Sequence, residues 1–194
     1  ITTACCASTQ AIGEAFRVIQ RDDADIMLAG GSDSKINPLS LLRFELLNVL
    51  SHKKDEPQKA SRPFERDRDG FVVGEGSGIV ILEELEHARR RGAKIYAELV
   101  GYGTACEGNG VLELHSPPRG LIHSMKEALS ESGLTPERID YINAHGLSDV
   151  KKDRLETAAI KAVFGPHAKK LAVSSIKSMI GHLGAGAGVV EVIA

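Results

Sequence analysis

The chain has 194 residues, of which 42% are hydrophobic and 26% are charged, the usage of an ordinary globular protein rather than a disordered segment. Its 24 basic and 26 acidic residues leave a formal net charge of -2, which excludes the strongly basic field typical of nucleic-acid binding. No apolar run approaches the roughly 20 residues that a membrane-spanning helix needs.

The first half of the chain alternates helix and strand signals. Apolar residues recur at helical spacing over 8–21, whereas a short apolar run at 25–31 closes on two glycines. The predicted elements are helix 8–21, strand 25–31, helix 38–50, solvated loop 51–61, a β-rich stretch at 71–83, a short charged helix ending at Arg91, and strand 95–100.

The second half continues the alternation. Its predicted elements are loop 104–118, helix 119–132, strand 140–143, helix 153–164, strand 171–176, and helix 181–194 with a face of small residues. Alternating strands and helices favour an α/β fold with buried sheets. A soft boundary near residues 92–100 divides the chain into parts 1–97 and 98–194.

The chain ends and the cysteine content bear on whether the chain is a fragment and on the compartment in which it works. The chain starts at Ile1 without a charged leader and stops in an apolar stretch at Ala194, so we expect a fragment cut inside structured elements at both ends. Three cysteines, two of them adjacent, cannot form a disulfide framework. A reducing, cytoplasmic location is therefore expected.

Cys5 is a candidate nucleophile. It stands between a short β-like start and the first predicted helix, where the helix dipole and free N–H groups favour a thiolate and can stabilise an oxyanion. The alternative is a buried structural cysteine. Of the other two cysteines, Cys6 is predicted to pack and Cys106 to lie in a loop.

His145 and His182 stand where predicted strands give way to loops or helices, next to Gly146 and Gly181. Open α/β sheets bind ligands at such places, and glycine allows a substrate to approach closely. The alternative for each is a structural hydrogen bond. The remaining histidines are assigned to the surface or to structural bonds: His52, His87, His115, His123 and His167.

Metal and phosphate sites have little support. No His or Cys pair has the spacing of a zinc site. The glycine-rich residues 74–78 lack the ending of a phosphate loop, so close packing or a bulge is the better interpretation. Gly184, Gly186 and Gly188 are expected to let a neighbouring backbone come close.

Seven short motifs run in order along essentially the whole chain. They are Thr3-Ala4-Cys5, Ser61-Arg62-Pro63-Phe64, Arg68-Asp69-Gly70-Phe71-Val72, Gly74-Glu75-Gly76, Arg91-Gly92-Ala93, Asn143-Ala144-His145-Gly146 and Ser174-Ser175-Ile176-Lys177-Ser178-Met179-Ile180-Gly181-His182. Together they resemble the β-ketoacyl-acyl carrier protein synthases, above all the elongating type II synthase of fatty acid synthesis and the ketosynthase of type II polyketide systems.

This resemblance implies a thiolase-like fold of two similar α/β halves in an αβαβα layering, here truncated at both ends. The first half would begin at the nucleophile, and the second would lack a Gly-rich turn that contributes to the oxyanion hole. It also implies substrates carried on the phosphopantetheine arm of acyl carrier protein, with no metal or organic cofactor. The full-length protein would be a homodimer or a ketosynthase-type heterodimer.

Site residues follow from the resemblance motif by motif. Cys5 matches the acyl-accepting nucleophile, and His145 and His182 match the pair that assists decarboxylation of the malonyl unit. Lys177 matches the lysine near that pair, and Glu191 matches its associated acidic residue.

The sequence departs from the family pattern in three places. Leu147 and Asp149 stand where the family usually has threonines that bind the pantetheine arm, so arm binding there is in question. The loop 104–118 lacks the usual pattern, and Cys6 and Ala7 replace small hydroxyl residues.

Three functions therefore compete. Cys5, both histidines and Lys177 together favour an active condensing enzyme. A non-catalytic partner subunit of the chain-length-factor type is the alternative: Leu147 and Asp149 favour it, while Cys5 counts against it. A thiolase fits less well, because thiolases do not decarboxylate and use a second catalytic cysteine.

Overall fold

A computed structural model describes residues 1–108 and 117–194. The predicted loop 104–118 lies partly outside the described residues, and His115 lies wholly outside them. Helices and strands mix as the sequence predicts for an α/β protein. No helix within the described ranges is both long and apolar enough to cross a membrane.

The described residues form two compact units, each assembled from segments distant in sequence. The first contains residues 1–35, 75–100 and 183–194, and the second contains 36–74 and 101–182. The predicted division of the chain near residue 97 stays a prediction.

The first unit is a two-stranded antiparallel sheet with helices packed on one face. Its elements are α1 (Ala7–Gln20), β1 (Ile26–Asp33), β2 (Gly76–Glu83), α3 (Leu85–Arg90) and α7 (Ala187–Ile193), with 3-10 turns at Ala4–Cys6 and Gly184–Gly186. The strands pair from Ile26 opposite Glu83 to Asp33 opposite Gly76. One sheet face packs on a buried core of Ile12, Ala15, Ala29 and Val189.

Glycines bring α7 close to its neighbours in this unit. A Cβ at Gly188 would lie 1.9 Å from Thr9 Oγ1, and one at Gly186 would lie 2.7 Å from the carbonyl oxygen of Gly76. The hydroxyl of Ser8 accepts a hydrogen bond from the N–H of Val189 at 3.1 Å. The expected close approach at these two glycines is therefore confirmed.

The second unit carries a parallel pair of short strands joined through a helix. Its elements are α2 (Pro38–Leu46), α4 (Arg119–Ser132), β3 (Tyr141–Asn143), α5 (Val150–Phe164), β4 (Ala172–Ser174) and α6 (Lys177–Ile180), with 3-10 turns at Pro57–Lys59, Pro136–Arg138 and Gly165–Lys169. In β3 and β4, Tyr141 pairs with Ala172 and Asn143 with Ser174.

Asp149 fixes the start of α5. One oxygen of its carboxylate accepts hydrogen bonds from the N–H groups of Lys151 and Lys152, at 2.9 and 2.7 Å. These donors have no partner inside the helix, so the cap starts α5 three residues before the predicted Asp153.

Two predicted elements are wrong. The segment 95–100 forms no strand, because a strand needs a hydrogen-bonded neighbour and none of the described residues pairs with it. The helix predicted over 181–194 begins only at Ala187. Gly181 has φ 72° and ψ -169°, which no α-helix accommodates, and Gly184–Gly186 form a 3-10 turn instead. Helix 38–50 also ends early, at Leu46.

Candidate active site

Cys5 lies in the 3-10 turn that leads directly into α1, half-buried, which agrees with the predicted place at a helix start. Ala4 before it has φ 52°, the left-handed region that non-glycine residues rarely occupy. Cys6 is exposed, and its Sγ donates to the carbonyl oxygen of Thr3 at 3.1 Å. The prediction that Cys6 packs is wrong, because its side chain turns back onto the preceding loop.

Glu156 of α5 holds the loop that carries His145. One carboxylate oxygen accepts the N–H of His145 at 2.7 Å, and the other accepts the N–H of Gly146 at 2.8 Å. Burial raises the pKa of Glu156 above its usual value, although these two donors oppose the shift. Glu156 is a site residue that the sequence did not single out, because no motif marks an acid eleven residues after a histidine.

Lys177 lies at the start of α6 with 2% of its surface exposed. Its Nζ donates to the carbonyl oxygen of His145 at 2.7 Å and lies 3.4 Å from Nδ1 of the same residue. Its own carbonyl oxygen accepts the hydroxyl of Ser61 at 2.5 Å. Lys177 is therefore buried in contact with His145.

His182 is buried and held through its backbone. Its N–H donates to Val72 at 2.8 Å, and its carbonyl oxygen accepts from Gly74 at 2.9 Å. Its ring meets Phe71 edge-on, with centroids 5.3 Å apart, and meets His145 in the same way at 5.6 Å. The structure thus brings the two predicted histidines together in one unit.

The surroundings of His145 keep its imidazole neutral. Although the residue retains some accessible surface, burial of the ring lowers its pKa well below 6.5, and the charges of Lys177, His182 and Lys152 lower it further. An ammonium group can only donate, so Nδ1 facing Lys177 serves as the acceptor. The proton of the neutral ring is then on Nε2.

Asp153 of α5 binds the same loop through its carboxylate and is buried, with 1% of its surface exposed. It accepts the N–H groups of Leu147 and Phe64 at 2.9 and 2.8 Å, and lies 3.3 Å from Nε of Arg68. A buried charge with three donors is compensated. The backbone N–H groups of residues 145–147 are therefore held by two carboxylates of α5.

Two of the residues that depart from the family pattern, Leu147 and Asp149, have roles in the fold. Leu147 is buried, with 3% exposed, and Asp149 caps α5 as described above. Whether either residue contacts a substrate arm stays a prediction. Among the other histidines, Nε2 of His167 lies 2.8 Å from the carbonyl oxygen of Ile139, a structural contact as expected.

Cys5 and Glu191 belong to the first unit, while His145, His182 and Lys177 belong to the second. Glu191 is half-buried on α7. The roles that the resemblance implies for Cys5 and Glu191 stay predictions. Within the described part of the chain, no three metal-binding side chains cluster.

Two family models together match nearly the whole chain. Residues 1–88 match the N-terminal domain of β-ketoacyl synthases, and residues 96–194 match their C-terminal domain. The chain belongs to the β-ketoacyl synthase family. The resemblance drawn from the seven motifs is confirmed.

Known members of the family are similar over the full chain. The 3-oxoacyl-[acyl-carrier-protein] synthase 2 of Synechocystis is 51% identical over 99% of this chain and 46% of its own length. A type II polyketide ketosynthase, solved with its acyl-carrier protein and bound to the hexaketide, is 41% identical with a TM-score of 0.96, over 100% of this chain and 48% of its own.

The ishigamide ketosynthase/chain length factor is 35% identical with a TM-score of 0.88, over 100% of this chain and 45% of that one. The β-ketoacyl synthase chain thus spans about half the length of the relatives it matches. Its likeness to solved ketosynthases confirms the predicted α/β, thiolase-like fold class.

Proposed function

We propose that the protein is a β-ketoacyl-acyl carrier protein synthase that transfers an acyl group to Cys5 and condenses it with a malonyl unit. The observation that supports this function most directly is the contact between the rings of His145 and His182. Nζ of Lys177 lies 3.4 Å from Nδ1 of His145. That arrangement presents a neutral Nε2–H donor, which suits a reaction whose charge develops on a thioester oxygen.

In the first half-reaction, the Cys5 thiolate attacks the carbonyl carbon of an acyl thioester. The tetrahedral intermediate expels the thiolate of the carrier arm, which takes up a proton, and the acyl group remains on Cys5. The place of Cys5 before the 14-residue helix α1 supports this role, since the positive end of the helix dipole favours a thiolate.

In the second half-reaction, a malonyl thioester loses carbon dioxide, and the electron pair of the broken bond passes into an enolate. His145 and His182 donate hydrogen bonds to the thioester oxygen where that charge collects. The enolate carbon then attacks the acyl-Cys5 carbonyl, and the Cys5 thiolate leaves. No strong base is needed, so neutral imidazoles suffice.

The proposal extends to the protein's setting. The substrates are carried on acyl carrier protein, no metal or organic cofactor takes part, and the full-length protein pairs with itself or with a ketosynthase-like subunit. The solved relatives with a carrier protein and with a chain length factor support these partners. The absence of a disulfide at Cys5, Cys6 and Cys106 supports a location in a reducing cytoplasm.

A non-catalytic subunit of the chain-length-factor type is the second candidate. It is favoured by Leu147 and Asp149, which lack the hydroxyls expected to bind the pantetheine arm. Cys5 and the neutral donor at His145 oppose it, because a subunit without chemistry needs neither.

Incubation of the full-length protein with radiolabelled acyl carrier protein tests the proposal. The wild type should retain label, and Cys5→Ala should retain none, while the exposed loop variant Cys106→Ala should match the wild type. Cys5→Ala should still decarboxylate malonyl carrier, whereas His182→Ala should lose this activity. An unlabelled wild type, tested over several acyl lengths, would favour the second candidate.

A further inference from the structure

Two thiols stand side by side at the start of α1. Cys5 is half-buried and Cys6 is exposed, and both are thiols rather than halves of a disulfide. The proposed condensation uses only the first of them, and Cys6 is a position at which the sequence departs from the family pattern. A second thiol beside a nucleophile suits oxidation chemistry, because an oxidised cysteine is often resolved by a neighbouring one.

The side chain of Cys6 lies against the turn that contains Cys5. Its Sγ donates to the carbonyl oxygen of Thr3 at 3.1 Å, and its N–H donates to the same oxygen at 3.3 Å. Both bonds point back from Cys6 across residues 3–5, away from the rest of α1. The second thiol is therefore kept beside the turn that carries the nucleophile, and its residue remains exposed to solvent.

The turn itself is held by few bonds. Successive residues of a 3-10 turn project about 120° apart, so a bond between Cys5 and Cys6 requires this turn to unwind. Ala4 has φ 52°, a strained value for a residue with a side chain. Among the described residues, no side-chain cap is formed by Thr3 at the turn or by Cys6 at α1. Unwinding therefore breaks few contacts and releases the strain at Ala4.

We propose that Cys6 is a resolving thiol, which converts oxidised Cys5 into a disulfide between the two adjacent residues. The Cys5 thiolate first takes a hydroxyl group from hydrogen peroxide: the S–O bond forms, the O–O bond breaks and hydroxide leaves. The sulfur is thereby oxidised to a sulfenic acid and the peroxide is reduced. The Cys6 sulfur then attacks the sulfenic sulfur, the S–S bond forms as the S–O bond breaks, and the departing hydroxide takes the Cys6 proton as water.

The disulfide formed in this way is suited to reversal. Adjacent Cα atoms lie about 3.8 Å apart, which is shorter than the usual lower limit of about 4.4 Å for disulfides, so the bond is strained and easily reduced. A dithiol reductant returns two electrons and two protons and restores both thiols. Without Cys6, more peroxide carries Cys5 on to a sulfinic acid, which thiols do not reduce. Cys6 therefore makes oxidation of the nucleophile reversible.

Mass spectrometry of the full-length protein after exposure to hydrogen peroxide tests the proposal. The wild-type peptide that contains Cys5 and Cys6 should lose two hydrogen atoms, and dithiothreitol should restore them. In Cys6→Ser the same peptide should instead gain two oxygen atoms, which dithiothreitol does not remove. Cys106→Ser, which removes the other exposed thiol, should behave as the wild type does. A wild-type peptide that gains oxygen as fast as the Cys6→Ser peptide, without losing hydrogen, would overturn the proposal.

Acyl transfer measures the consequence for the nucleophile. Before oxidation, Cys6→Ser should load Cys5 as the wild type does. After peroxide and then dithiothreitol, the wild type should recover most of its loading, whereas Cys6→Ser should recover less than about a tenth. Equal recovery would contradict the resolving role. A wild type that forms the reversible disulfide but accepts no acyl group would reject the proposed function and leave the role of Cys6 standing, since the disulfide is detected by mass alone.

Discussion

Lys177 contacts His145 at two points, with its Nζ 2.7 Å from the carbonyl oxygen and 3.4 Å from Nδ1 of the ring. The first contact fixes the backbone of the histidine, and the second selects its tautomer. One buried ammonium group therefore sets both the position and the proton of a donor that the proposed reaction needs.

Replacing Lys177 with methionine should raise the pKa of His145, because a nearby positive charge that disfavours the imidazolium is removed. The pKa should stay below 6.5, since burial is the larger cause and remains. NMR titration of the His145 ring measures the shift, and its nitrogen chemical shifts report the tautomer. A wild-type ring protonated on Nδ1 would contradict the assignment.

The lowered pKa of His145 also makes folding depend on pH. The unfolded chain takes up a proton near pH 6.5, whereas the folded protein takes it up only at lower pH. The stabilisation is therefore fully present above about pH 6.5 and is lost as the pH falls through the folded value. Chemical denaturation across this window should show a weaker pH dependence in Lys177→Met than in the wild type.

Glu156→Gln should destabilise the protein by about 1–3 kcal/mol, because an amide can accept only one of the two N–H groups that the carboxylate accepts. Glu156→Ala should cost more, since both donors then lose their partner. Denaturant midpoints measure the two changes. Equal stability of Glu156→Gln and the wild type would mean that the carboxylate does not hold the loop.

Asp149→Ala should destabilise α5 by about 0.5–2 kcal/mol through loss of the cap on Lys151 and Lys152. Asp149→Thr should recover most of this loss, because a hydroxyl also caps a helix. Thermal unfolding monitored by circular dichroism compares the variants. An alanine variant as stable as the wild type would show that the side-chain cap contributes nothing.

Gly146→Ala should destabilise by more than about 2 kcal/mol, since a Cβ there would lie 2.5 Å from Cβ of Ser175 at a φ of 34°. Gly133 is a matched control, with φ 67° and open space around its Cβ position. Gly133→Ala should cost only the left-handed strain, about 1–2 kcal/mol. Similar losses for the two variants would show that the contact with Ser175 is unimportant.

The sequence predicts an element correctly where the signal for it lies within the element itself, as in a helix. The predicted helix 119–132 has the bounds of α4, and α1 differs from its prediction by one residue at each end. The segment 95–100 has the composition of a strand but no described partner, and pairing is a tertiary property that composition does not contain.

The residues of the candidate site likewise fall into those that a motif marks and those that only the tertiary fold brings in. Motifs place His145, His182 and Lys177, and the structure joins these three in one unit. Glu156 could not be assigned from the sequence, because its contact with His145 arises only when α5 folds back beside the loop that precedes it. Its spacing of eleven residues from His145 matches no motif.

Asp149 shows how this position can vary. Aspartate and threonine both cap helices, so either side chain can accept the first N–H groups of α5, which begins at Val150. Folding therefore imposes little selection between the two residues, and an exchange between them is accessible to evolution in either direction. Helix capping therefore does not by itself decide which of the two residues stands at the start of α5.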